Sequence, residues 1–152
     1  MAEKPEGIRV GVLHGPNLNL LGHREPERYG SEELGSINRR LAARGAELGV
    51  EVDFFQSNIE GELVDWIQRA GSRFGGLLVN AAGYTHTSVA IRDALKAIEV
   101  PFVEVHLTNI YARETFRHHS YLSDIAIALV SGFGGDSYVL ALEGLVAHLR
   151  RE

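Results

Sequence analysis

Tyrosine, histidine, arginine and asparagine supply the reactive chemistry of this sequence, and they collect in three stretches. The first is His14-Gly-Pro-Asn-Leu-Asn-Leu-Leu-Gly-His-Arg-Glu-Pro-Glu-Arg-Tyr-Gly30. Tyr29 stands there five residues after Arg24. A free tyrosine ionises near pH ~10, and a neighbouring guanidinium favours the phenolate, so an arginine-assisted tyrosinate is a candidate base at neutral pH. The second stretch is Asn80-Ala-Ala-Gly-Tyr-Thr-His-Thr-Ser88, whose Thr85, His86, Thr87 and Ser88 offer hydrogen-bonding groups at a helix start. The third runs from His106 to Tyr121 and holds Arg113 and Arg117 at i, i+4. In a helix those two arginines share a face, and paired arginines suit an anionic, hydroxylated substrate. His106 at a strand end is a candidate general acid or base. Each feature has a plainer alternative: a loop tyrosine, a core histidine satisfied by backbone, a solvated charged turn. His14, His23, His118, His119 and His148 read as loop or surface residues.

Other chemistries lack their residues. There is no cysteine, so disulfides, thiolate metal sites and cysteine nucleophiles are excluded. The histidines are scattered without ligand spacing, so no metal is expected. Neither a dinucleotide-type glycine fingerprint nor a lysine-bearing phosphate loop occurs, and no cofactor is expected. Of 15 basic residues only Lys4 and Lys96 are lysines, one in a polar tail and one in a helix, so a Schiff-base lysine is poorly provided for. The net charge of −5 argues against a nucleic-acid partner. No apolar run approaches a membrane span, and residues 1–7 do not resemble a signal peptide, so a cytoplasmic protein is expected.

The elements that must position these groups follow from apolar spacing. Strands are expected at 8–13, 51–56, 77–79, 102–106 and 125–130. Helices are expected at about 31–48, after a capping box of Ser57 and Glu60, after Ser88, and after Asp136 as cap. Leu63, Trp66, Ile67, Ala70 and Phe74 form the core face of the second helix, with Trp66 as core. Alternating strands and helices imply one domain over 1–152, residues 1–7 being a disordered tail. The expected fold is α/β, a flavodoxin-like five-stranded parallel sheet of order 2-1-3-4-5 with helices on both faces. Ligands of such sheets bind at the carboxyl ends of the strands, where all three polar stretches fall. The segment 14–30 is far longer than the usual connection of about 2–6 residues and reads as an active-site lid loop.

Four blocks carry a specific resemblance: the 14–22 motif with Arg24 and Tyr29-Gly30; Gln56-Ser-Asn with Glu60-Gly-Glu-Leu-Val-Asp-Trp66; Tyr84-Thr-His-Thr-Ser-Val-Ala with Asp93-Ala-Leu95; and Glu104-Val-His-Leu-Thr-Asn-Ile with Ala112-Arg-Glu and Phe116-Arg-His-His-Ser-Tyr121. In order and over nearly the whole chain, they resemble the type II 3-dehydroquinate dehydratases. That resemblance implies cofactor-free dehydration of 3-dehydroquinate to 3-dehydroshikimate by anti elimination through an enolate, in the shikimate pathway or in quinate catabolism, in a homododecamer built as a tetramer of trimers. It matches Tyr29 to the proton acceptor, Arg24 to the group supporting its ionisation with Arg113 nearby, Asn17 to a residue holding a water, and His106 to the acid. It matches Asn80, His86, Asp93, Leu107, Thr108 and Arg117 to the substrate-binding set, with Asp93 serving a neighbouring subunit and the Leu107 and Thr108 N–H groups meeting the substrate carboxylate. Three departures are visible. Ala81-Ala82-Gly83 replaces the commoner Pro-Gly-Ala, Thr108 stands for Ser, and Tyr111 for a frequent His. The two ill-placed lysines agree with an enolate rather than a Schiff-base route. A flavin- or nucleotide-binding module of the same fold is the alternative.

Overall fold

The first strand, β1 (Ile8–His14), lies at the centre of the sheet although it comes first in the chain. The structure, a computed structural model, describes residues 7–23, 25, 27 and 31–151. β1 pairs in parallel with β2 (Val50–Gln56) on one side and β3 (Gly76–Asn80) on the other. β4 (Phe102–His106) and β5 (Ala128–Ser131) complete a parallel sheet of order β2-β1-β3-β4-β5, the flavodoxin-like arrangement expected. β3 and β4 are buried along their whole length, as continuous apolar strands covered on both faces must be.

Four helices among the described residues cover the two faces. α1 (Leu34–Leu48) and α4 (Asp136–Arg150) pack on one, and α2 (Glu60–Ala70) and α3 (Val89–Ile98) on the other. Alternate strand residues supply two separate cores. Val10, Val12, Leu78, Val103 and Val105 meet Leu41, Tyr138 and Leu142 on the α1/α4 side. Leu13, Leu77, Val79 and Phe102 meet Leu63, Trp66, Ile67 and Leu95 on the α2/α3 side. Trp66 is core, stacked between Phe55 and Phe74. It lies so close to β1 that a Cβ on Gly11 would stand 2.7 Å from its ring, so only glycine fits beneath it. No helix of the described residues is long and apolar enough to cross a membrane.

Several local expectations need correction. Ser57 and Glu60 do not form a capping box: α2 begins at Glu60 itself, and Ser57 Oγ accepts from Ile59 N–H while donating to Glu62 at 2.5 Å. Asp136 is not a cap but the first residue of α4, where its carboxylate accepts from Arg40. The fifth strand starts three residues late, because Ile125 and Ala126 N–H bond the carbonyl of buried Leu122 in a turn. α1 starts at Leu34 rather than 31. Its end was legible: Gly49 takes φ +76° and donates to the carbonyls of Gly45 and Ala46.

Candidate active site

Strand register brings the polar clusters to one edge. His14 is opposite Gln56 and Asn80, and His106 is opposite Ser131, all at the last positions of their ladders. The first loop is then clamped to that edge. Gly15 N–H donates to Asn80 O at 2.7 Å, Gln56 Nε2 to Gly15 O at 3.1 Å, and Asn17 N–H to Asn58 Oδ1 at 2.9 Å. A Cβ on Gly15 would lie 2.4 Å from Ala81 O, so this crossing requires glycine. Asn17 adopts φ +69°, which asparagine tolerates better than most residues. A 3₁₀ turn (Leu18–Leu20) follows, with Leu18 and Leu21 buried in the α1/α4 core, so the start of the expected lid is packed down.

The loops after β3 and β4 are tied to each other. Tyr121 N–H donates to Thr85 O at 3.0 Å, and His86 Nδ1–H donates to His119 O at 2.8 Å. That bond leaves Nε2 of His86 as the acceptor. Burial pulls the His86 pKa down, against the hydrogen bond to His119, and so favours the neutral ring. Beyond β4, the His106 and Leu107 carbonyls accept from Gly132 and Gly134 N–H at 3.3 and 2.8 Å, which fixes the peptide planes there. Arg113 and Arg117 reach the same place without an α-helix. Two 3₁₀ turns, Ile110–Ala112 and Thr115–Arg117, carry them there, and Arg117 Nε donates to Glu114 at 2.9 Å.

These elements enclose a cavity of ≈ 160 Å³. Of the residues expected at the site, Asn17, Asn80, His86, His106, Leu107, Thr108, Arg113 and Arg117 line it together. Asp93 does not: it is exposed on α3, outside the lining. Arg24 and Tyr29 lie outside the described residues. Ala82, one of the departures noted in the sequence, lines the cavity at φ +51°, a conformation costing an L-residue about 1 kcal/mol. No group of three or more His, Cys, Asp or Glu able to hold a metal ion occurs among the described residues.

Two features of the site went unread in the sequence. The first is Glu104, with no exposed surface, whose Oε2 accepts from His106 Nε2–H at 2.5 Å. Ser120 Oγ donates to it at 3.0 and 3.1 Å and Ser123 Oγ at 2.6 Å. Burial pushes this carboxyl up, but the hydrogen bonds from His106, Ser123 and Ser120 outweigh it and hold the pKa below the usual value. An acid two residues from a histidine in an apolar strand was the available signal, since i and i+2 share a face and a buried carboxylate needs partners. The second is His14, read as loop or surface yet wholly buried. Nδ1 meets Tyr138 Oη at 2.9 Å and Nε2 meets Asn38 Oδ1 at 2.8 Å. Burial, opposed by the Asn38 bond, lowers its pKa from 6.5 to about 4.

The chain that builds this cavity matches known proteins over almost its whole length. The family model for dehydroquinase class II matches residues 8–146. A 3-dehydroquinate dehydratase of Bordetella avium (strain 197N) is 60% identical over 140 residues, covering 90% of this chain and 96% of that protein. Another from Prochlorococcus marinus (strain NATL1A) is 56% identical over 140 residues, covering 92% and 97%. The crystal structure of type II dehydroquinase from Propionibacterium acnes superposes with a TM-score of 0.88 at 38% identity, covering 93% of this chain and 97% of that one. This chain belongs to the class II dehydroquinase family, hydro-lyases of flavodoxin-like fold.

Proposed function

We propose that this protein is a shikimate-pathway 3-dehydroquinate dehydratase that works without a cofactor, by anti elimination through an enolate. The observation that carries the reading is His106, backed by buried Glu104 and set at a polar cavity that also gathers Asn80, His86, Arg113 and Arg117. Tyr29, taken from the family motif with Arg24 as the cation favouring its phenolate, removes the proton on the carbon next to the ketone. Negative charge moves to the ketone oxygen, where a water held by Asn17 stabilises it; fixed donors at such a point lower the barrier most. The C1–O bond then breaks, and His106 gives its proton to the departing hydroxyl, which leaves as water. A ring bound to Glu104 through Nε2 keeps Nδ1 for that transfer, and the positive ring that carries the proton faces a carboxylate.

The remaining residues hold the substrate. The backbone N–H groups of Leu107 and Thr108 receive its carboxylate, Arg117 and Nε2 of His86 its hydroxyls, and Asn80 one further oxygen. Asp93, exposed and outside the cavity of its own chain, serves the site of a neighbouring subunit in a trimer, four of which form a dodecamer. The decisive experiment adds 3-dehydroquinate to the purified protein and follows ultraviolet absorbance of the conjugated enone. Turnover that disappears in Tyr29→Phe and survives chelator and borohydride is expected. Absence of product, or borohydride trapping substrate on Lys96, overturns the reading. Hybrids of inactive Asp93→Ala and Tyr29→Phe chains should regain activity, because some sites then lack both lesions.

A further inference from the structure

Asn80 is held by a series of hydrogen bonds that ends at Asn38, outside the cavity lining. Tyr138 on α4 has no exposed surface, and its hydroxyl touches two side chains. Nδ2 of Asn80, 3.0 Å away, carries only protons, so it donates and the phenol oxygen accepts. The phenol proton then needs an acceptor, and His14 Nδ1 at 2.9 Å is in reach. A neutral ring accepting at Nδ1 carries its own proton on Nε2, which lies 2.8 Å from Asn38 Oδ1. Only this direction of donation, Asn80 to Tyr138 to His14 to Asn38, leaves no buried proton without an acceptor. Burial keeps the His14 ring neutral, as the direction requires. At the other end of the Asn80 amide, Oδ1 accepts from Ala82 N–H at 3.1 Å. Turned over, the amide would set N–H against N–H at Ala82. Both ends are therefore fixed, and one Nδ2 proton remains in a side chain that lines the cavity.

We propose that Tyr138 and His14 are positioning residues that hold Asn80 with an N–H presented to the cavity, so that the site offers a donor there to a substrate oxygen. The proposal rests on the assignment of Asn80 as a substrate contact, and it concerns ground-state binding more than the acid–base steps.

Tyr138→Phe removes one hydroxyl and keeps the ring. Its KM for 3-dehydroquinate should rise about tenfold while kcat stays within about threefold, the result of releasing one hydrogen-bonded group. Crystal structures of the variant should show the Asn80 amide rotated or in two orientations. His14→Leu should behave alike. His14→Asn should restore KM to within about twofold, since its Oδ1 can accept the phenol proton in place of Nδ1. A role confined to packing would lower the melting temperature of all three variants and leave KM and the amide orientation alone. Unchanged KM with an unmoved Asn80 in Tyr138→Phe overturns the proposal; should that variant not fold, indistinguishable His14→Leu and His14→Asn proteins overturn it equally. If wild-type protein forms no enone, the dehydratase reading falls, and the amide orientation in the crystal structures still decides the role of Tyr138 and His14.

Discussion

His14 and His106 both end strands of one sheet, both are buried, and they are held in opposite ways. His14 shares its face of the sheet with Val10 and Val12, so it dips into the α1/α4 layer and meets a phenol and an amide. His106 shares its face with Glu104, on the opposite side of the sheet, and meets a carboxylate that three side chains keep ionised. Among the described residues His14 is bonded to a phenol and an amide and not to a charge, so burial drives the ring to neutrality. The neighbourhood of His106 has a buried charge that is fully hydrogen-bonded, which makes a proton on the ring useful. In the proposed mechanism one residue type is a strut at one strand end and a proton donor at another, and the neighbours decide which.

The sharpest way to break the contrast is to remove the working ring. His106→Ala should lower kcat by roughly a thousandfold, within the range for loss of a general acid, and should also lower the melting temperature, because buried Glu104 loses a partner; a variant keeping a tenth of the wild-type rate would remove His106 from the chemistry. The strut shows itself in acid rather than in rate. Its folded-state pKa of about 4 lies below its unfolded value of 6.5, so between those values the unfolded chain binds a proton that the native chain refuses. Stability therefore falls as pH falls through that window, by about 3 kcal/mol once both states are protonated. Urea unfolding from pH 7 to 4 should show this slope, and His14→Asn should flatten it; equal slopes would mean that His14 is not the group responsible. Glu104 acts lower on the scale: its stabilisation is present above the ordinary carboxyl pKa and is lost as pH drops through its depressed folded value.

Glu104→Gln should then cost roughly tenfold to a hundredfold in kcat, the loss expected for one charge-assisted hydrogen bond, with KM nearly unchanged. That is the reverse of the pattern expected for Tyr138→Phe, and the pair of variants separates the two strand ends kinetically. The smallest effect is expected for Ser123→Ala. Ser120 still donates to both carboxylate oxygens, so kcat should fall about threefold or less. A larger fall would make Ser123, not Ser120, the group that sets the carboxylate.

The five strands and the edge carrying the site were legible because they follow from apolar periodicity and from where polar stretches interrupt it; the order 2-1-3-4-5 followed from choosing the flavodoxin-like arrangement that five alternating strands fill. Trp66 as core and Gly49 as a helix end were readable for equally local reasons. What escaped depends on residues distant in sequence. The burial of His14 is made by Tyr138, 124 positions on, and by Asn38, which no loop reading of residues 14–30 connects to it. Ser57 was paired with the wrong acid: its hydroxyl reaches Glu62, two residues beyond Glu60. Arg113 and Arg117 were expected to meet through helical spacing and instead meet through two short turns. Asp93 was matched by family resemblance to the site of a neighbouring subunit, and it is exposed on α3, outside the cavity of its own chain.

The central position of β1 sets a timetable for synthesis. Its neighbours span 50–56 and 76–80, so the first strand made waits for both, and the sheet centre cannot close until about 80 residues are free of the ribosome. At about 5–20 residues per second that is several seconds during which Val10, Val12 and Leu13 lack the β3 neighbour they need. The strut beneath Asn80 waits longer still. Every residue lining the cavity has been made once Arg117 has emerged, yet Tyr138 on the final helix is still to come. A nascent chain halted between those two points would hold every described residue that lines the cavity while the phenol bonded to Asn80 is not yet made.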